Sequence, residues 1–128
     1  MPAAPSKTVA VVGASNDRGK FGNKGLRAFA RAGWRVFPVH PGEDQVEGLA
    51  AVRAVGDIDA ALDVVSLYVP AVIGVRLLPA IAAKGVGELW VNPGAESGEL
   101  LAEARRLGLR VRQTCSIIEV GYRPADFP

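Results

Sequence analysis

VAVVGASNDRGKFG, residues 9–22, joins an apolar run to a loop bearing three glycines. Thr8 to Val12 is short, continuous and β-branched, the pattern of a strand buried on both faces of a parallel sheet. Gly13 lets the chain turn off that strand without a Cβ clash. From Phe21 to Ala32, Leu26 and Phe29 fall on one helical face, and Gly33 supplies a left-handed stop. A strand, a glycine loop and a helix in that order open a βαβ unit.

Working outward, the same alternation recurs. Arg35 to Val39 (RVFPV) reads as a second strand closed by His40-Pro41-Gly42, and Asp63 to Tyr68 (DVVSLY) as a third. Between them, residues 42–62 predict a loop with a short helix around Leu49 to Val55. Val72, Val75, Leu78 and Ile81 mark the next helix, in which Pro79 must introduce a kink or occupy the first turn. Glu88 to Val91 predicts a fourth strand and Leu109 to Arg112 a fifth. Between these two, Ser97 caps a helix that ends at Gly108. Ile117 to Val120 starts a final short element. Strands alternating with helices at this spacing imply an α/β, Rossmann-like three-layer domain with a mainly parallel sheet of about five strands. The expected organisation is a flexible arm, residues 1–6, followed by one domain, residues 7–128, with no repeat or low-complexity segment.

The bulk properties agree. A chain of 128 residues with 49% apolar side chains buries a core without staples. Its single cysteine, Cys115, excludes an internal disulfide framework and fits a reducing, cytoplasmic setting. The first residues lack the apolar core of a signal peptide, and the most apolar window is broken by Ser66, Pro70 and Arg76, so no membrane span is expected. A formal charge of +2 gives no reason to expect nucleic acid. The charge is divided, however, with bases from Arg18 to Arg35 and acids from Glu43 to Asp63. These read as two solvated faces of opposite sign.

In a doubly wound sheet ligands bind beyond the carboxyl ends of the strands. The residues there are Gly13 to Gly22, then His40-Pro41, Val69-Pro70, and Asn92 to Glu96. In the first loop Ser15 and Asn16 offer side-chain donors, Arg18 and Lys20 offer charge, and the helix-start amides point at an anion. A standard dinucleotide site fits poorly. Ser15 replaces the second glycine of G-x-G, and His40-Pro41 stands where an acid would meet the ribose. A small NAD(P)-binding oxidoreductase or redox sensor is thus one alternative. A Rossmann-type interaction module without a ligand is another.

The run from Val9 to Pro41 resembles the start of the CoA-binding domain shared by stand-alone CoA-binding proteins, the α-subunit of succinyl-CoA synthetase and ADP-forming acyl-CoA synthetases. DVVSLYVP, ELWVNPGAES and GLRVRQTCSIIEV resemble the later segments of that family in register, so the resemblance covers residues 7 to about 120. It implies that the cofactor is coenzyme A. Gly13, Ser15, Asn16 and Lys20 would then hold its pyrophosphate, with Ala14, Arg18, Phe21 and Gly22 in the same cofactor-binding loop. His40 and Pro41 would line the adenosine end, Val69 and Pro70 would pack on the adenine or ribose, and Pro93, Gly94 and Ala95 would border the pantetheine arm. Family members often place a base just after the second-strand proline, suited to the 3′-phosphate. Here Gly42-Glu43-Asp44 follows, and Arg18 or another base must compensate.

The resemblance implies the binding half of the synthetase chemistry without the catalytic half. The expected activity is non-catalytic binding of CoA or an acyl-CoA, with no nucleic acid or membrane partner and with room for a protein partner or homodimer. One histidine, His40, cannot build a triad or a multi-histidine metal site. Cys115 reads as a small buried residue, or as a thiol facing the crevice within reach of CoA. Nothing in the sequence brings Glu96 and Glu119 together as an acid–base pair. Trp34 and Trp90 are expected in the core, and the tail bearing Tyr122, Arg123 and Phe127 is expected to fold back or to meet a second subunit.

Overall fold

A computed structural model describes residues 7–128; the expected arm, residues 1–6, lies outside the described residues. Five strands form one sheet: β1 (Thr8–Val12), β2 (Arg35–Val39), β5 (Leu62–Leu67), β6 (Val86–Val91) and β7 (Val111–Gln113). Their order is β2-β1-β5-β6-β7, and every pairing is parallel. The fold is therefore α/β and Rossmann-like. The order reverses between β1 and β5, which opens a crevice at their carboxyl ends.

The register places that crevice. Val12 pairs with Val39 on one side and Leu67 on the other, Leu67 pairs with Val91, and Val91 with Gln113. All five strands thus end in one row. The residues that follow, His40, Gly13, Tyr68, Asn92 and Thr114, stand side by side along the sheet edge.

Burial on both faces explains the unbroken apolar strands. On one face α2 (Ala71–Lys84) and α3 (Gly98–Arg106) cover Ala10, Val12, Val65, Leu67, Leu89 and Val91. On the other, α1 (Phe21–Arg31) covers Val9, Val11, Val64 and Trp90 through Leu26 and Phe29. Phe29, Trp34 and Trp90 meet there with ring centroids 5.0–5.9 Å apart. Trp90 is buried as expected, but Trp34 is only half-buried. The tail folds back: Phe127 is buried against Ala28 and Ile117, with the Arg31 guanidinium 4.4 Å from its ring centre.

Two expectations need correction, and the placement of Pro79 is narrowed. The short helix around Leu49 to Val55 is absent; a hairpin of β3 (Gln45–Val46) and β4 (Leu49–Ala50) precedes a 3-10 turn at Val55–Asp57. Glu47 and Gly48 both have positive φ, 50° and 78°, the twist of a two-residue primed turn. Glu at the first such position is uncommon, so the hairpin carries no strong sequence signal. Pro79 sits mid-helix in α2, which continues to Lys84. It is exposed, on the face of α2 turned away from the core. The fifth strand starts two residues later than predicted and ends one residue later, at Val111–Gln113. The cap at Ser97 forms as expected, its hydroxyl accepting from the Leu100 N–H at 3.0 Å.

Candidate functional site

A cavity of about 690 Å³ lies on the row of carboxyl ends. Gly13, Ala14, Ser15, Lys20, Phe21 and Gly22 line it from the β1–α1 junction. His40 and Pro41 line it from β2, Val69 and Pro70 from β5, and Pro93, Gly94 and Ala95 from β6. The chain thus brings together thirteen of the fifteen residues expected there. Two are not in the wall.

Asn16 and Arg18 face away, toward the β3–β4 hairpin. Asn16 donates from Nδ2 to the Gln45 carbonyl (2.8 Å) and accepts at Oδ1 from the Glu47 N–H (3.1 Å). Arg18 pairs with Glu47 at 3.1 Å. Glu47 also accepts from buried Asn23 at 3.1 Å. The Asn23 hydrogen bond, aided by Arg18, holds the Glu47 carboxyl below the usual carboxylate range. The two faces of opposite charge are therefore not simply solvated. The acidic loop is docked on the basic helix, and Arg18 is committed to that contact.

The loop itself is held by local turns. The Ser15 hydroxyl accepts from the Asp17 N–H, and the Asp17 carboxylate accepts from the Gly19 N–H, each at 3.0 Å. Ser15 keeps its own O–H free to donate to an anion. Behind it, the N–H groups of Phe21 and Gly22 open α1 with no intrahelical acceptor. That first turn carries no acid, and Arg31 closes the last turn. The helix dipole is thus complemented at one end and left for an anion at the other. Gly22 serves packing rather than ligand approach, because a Cβ there would land on the Gly13 carbonyl oxygen.

Ala14 and Ala95 line the cavity but are 1% and 3% exposed, so they offer it almost no surface. Gly94, with φ 93°, turns the chain after β6, and its N–H donates to the Glu96 carboxylate at 2.9 Å. Glu119 is engaged elsewhere, by Arg112 at 2.6 Å and Thr114 at 2.8 Å. Glu96 and Glu119 therefore belong to separate clusters.

His40 accepts at Nδ1 from the N–H groups of Gly42 and Glu43, both at 2.8 Å, which puts its ring proton on Nε2. Arg53 donates to the Pro41 carbonyl and pairs with Asp44 at 3.5 Å. It also lines an apolar cavity of about 290 Å³, walled by Val12, Val39, Pro41, Val55 and Val69, next to the main one. Residue numbering hides this base, twelve positions beyond the proline it touches; the pairing of Val39 with Val52 brings it back.

Gly19 of the same loop and Tyr68 also line the main cavity; from sequence, Tyr68 has a place in the third strand but none in the site. Tyr68 Oη is buried and has no hydrogen-bond partner among the described residues. It lies against Gly25, where a Cβ would overlap the phenol. Burial pushes the phenol up to about 12, with the Ser66 and Ser116 hydroxyls opposing that rise. Those two hydroxyls bond each other at 2.8 Å, and Asn92 joins them by donating to Ser66 at 3.0 Å and accepting from the Ser116 N–H at 2.9 Å. This network ties α4 (Ser116–Glu119) to the sheet and leaves Tyr68 outside it. Cys115, at the start of α4, is half-buried rather than buried.

Among the described residues no group of three or more His, Cys, Asp or Glu is placed to hold a metal, and no helix is long and apolar enough to cross a membrane.

Comparison with known proteins meets this geometry from another side. A family model described as CoA binding domain matches residues 7–121. An ADP-forming acetate–CoA ligase of Methanocaldococcus jannaschii is 28% identical over 113 residues, which cover 82% of this chain and 16% of the ligase. The α-subunit of the ADP-forming acetate–CoA ligase II of Pyrococcus furiosus is 31% identical over 116 residues, 80% of this chain and 25% of the subunit. The chain therefore spans a quarter or less of these curated relatives. A conserved hypothetical protein from Pyrococcus furiosus, of solved structure, superposes with a TM-score of 0.80 at 32% identity, over 89% of this chain and 98% of its own.

Proposed function

The chain belongs to the CoA binding domain family, and from that premise we propose that it binds coenzyme A or an acyl-CoA without a catalytic step of its own. The observation that carries the reading is the order of chemistry along the row of strand ends. An apolar cavity with Arg53 at its rim comes first, then a cradle of backbone amides with Ser15 and Lys20, then the Pro93–Ala95 turn. CoA presents a purine, a pyrophosphate and a pantetheine arm in the same order.

The adenine sits in the apolar cavity between Val39, Val55 and Val69. The pyrophosphate lies on the Ser15 hydroxyl, the Lys20 ammonium and the N–H groups of Phe21 and Gly22. Arg53 stands in for the base that is missing after Pro41. Its exposed pair with Asp44 is weak, so a 3′-phosphate displaces the carboxylate at little cost. Bound CoA supplies a thiol on which an acyl group is carried. This site holds that molecule at its nucleotide end. A dinucleotide is less well served, because His40 rather than a carboxylate ends β2 and its Nδ1 is already occupied.

Calorimetric titration with CoA, dephospho-CoA and NAD tests the reading. Saturable binding of CoA, about tenfold tighter than dephospho-CoA, is expected, with the difference collapsing in Arg53→Gln. Binding of NAD without binding of CoA would overturn it.

A further inference from the structure

A second apolar cavity, about 260 Å³, opens off the main one at the opposite end from Arg53. The two share Phe21, Tyr68 and Pro93, so they are compartments of one cleft. The new walls are Cys115, Ile117 and Ile118, contributed by α4 and the residue before it. Asn92 is the one amide in the wall, and its Nδ2 and Oδ1 are both spent on the network that ties α4 to β5 and β6.

The mouth of this compartment is also apolar. Phe21 is 57% exposed and Ile118 61% exposed, among the few large apolar side chains left in water. They flank a cavity on the pantetheine side of the cradle rather than lying at random on the surface. Exposed apolar residues that border an apolar cleft are the usual mark of a ligand with a greasy end. The free thiol of CoA gains little from such walls. An acyl chain on that sulfur gains a great deal.

We propose that this compartment receives the acyl group of a short-chain acyl thioester, so that the protein prefers acyl-CoA to free CoA. The inference rests on the proposed CoA site and extends it by naming the ligand class. The size of the compartment sets the chain length. At roughly 30 Å³ per water it holds about eight waters, and a saturated chain of about four to six carbons replaces them without steric conflict. A longer chain leaves by the mouth and gains nothing more. Charged acyl groups meet no opposite charge in the wall and are disfavoured.

Titration with CoA, acetyl-CoA, butyryl-CoA, hexanoyl-CoA and decanoyl-CoA reads the proposal directly. Affinity rises by up to about fourfold per added methylene and levels off near six carbons. In Ile118→Asp the ratio of butyryl-CoA to CoA affinity falls toward one. Circular dichroism shows whether the variant keeps its fold, and the chain-length series on the unaltered protein stands without it. Saturable binding of CoA with equal affinity for every thioester would overturn the acyl compartment and leave the CoA site intact. Binding of none of the ligands would remove both. A butyryl-CoA preference that survives Ile118→Asp would place the chain elsewhere and overturn the assignment.

Discussion

The junction after β1 runs from Gly13 to Lys20 before its helix begins, whereas the junction after β5 needs only Tyr68, Val69 and Pro70. Both leave neighbouring strands at the same level and face the same cleft. The longer one must satisfy its own backbone, and it does so with Ser15 and Asp17 inside the loop and Asn16 outside it. The shorter one has less to satisfy. Pro70 lacks an N–H and sits at φ −55° as the residue before α2, and Val69 covers the turn with apolar surface. One junction therefore gives the cleft donors and charge, and the other gives it a dry wall. The lesson is that ligand polarity is set by how each turn disposes of its amide groups, not by the sheet they share.

Gly22→Ala strikes at the longer junction hardest. The new Cβ meets the Gly13 carbonyl, which is backbone and cannot move aside, so a loss of about 3 kcal/mol is expected in urea unfolding. A loss under about 0.5 kcal/mol would show that the junction has slack. On the shorter side, Tyr68→Phe tests the unpartnered phenol. Its folded value of about 12 against an unfolded value of about 10 means that the folded state binds the extra proton between those pH values. Stability from this group is complete below pH ~10 and is lost as pH rises through ~12. The unaltered protein should lose about 2 kcal/mol more than Tyr68→Phe across that window, measured by urea midpoints, and parallel curves would refute the assignment.

Smaller effects separate anchoring from binding within the longer junction. Asn16→Ala removes two hydrogen bonds to the hairpin and should cost about 1–2 kcal/mol of stability while changing CoA affinity by less than about threefold. A large loss of affinity with unchanged stability would return Asn16 to the phosphate site. Lys20→Ala should do the reverse. It lowers CoA affinity about tenfold, flattens the salt dependence of binding and leaves the melting temperature within about 2 °C. If Lys20→Ala and Asn16→Ala behave alike, the division between the two fails.

Much of the architecture was legible because its signals are local. Continuous apolar strands, helical faces such as Leu26 and Phe29, and the stops at Gly33 and Gly108 each act within a few residues. The hairpin was missed because Glu47 takes a positive φ that its side chain does not advertise. Pro79 left two placements open, and only the fold decided that it sits mid-helix on an exposed face.

For the candidate site, backbone positions were easier to place than side-chain directions. Gly13, Ser15, Lys20, His40, Val69 and Gly94 line the cleft because each follows a strand end or opens a helix. Asn16 and Arg18 lie in the same loop, but their donors are claimed by Gln45 and Glu47, about thirty residues away. Arg53 and Tyr68 were overlooked for the converse reason, since each reaches the cleft through a distant pairing or through the body of its side chain.

The amino-acid sequence by itself determined a parallel α/β sheet, a glycine-bearing anion loop and the family to which they belong. The first two follow from continuous apolar strands, the 3.6-residue helical period and the steric freedom of a few glycines, and the family from its resemblance to several motifs in register. Tertiary structure alone decided which cations remain available, which walls are dry and where the cleft widens beside Ile118. Those depend on side chains brought together from remote positions, and no local pattern carries that information.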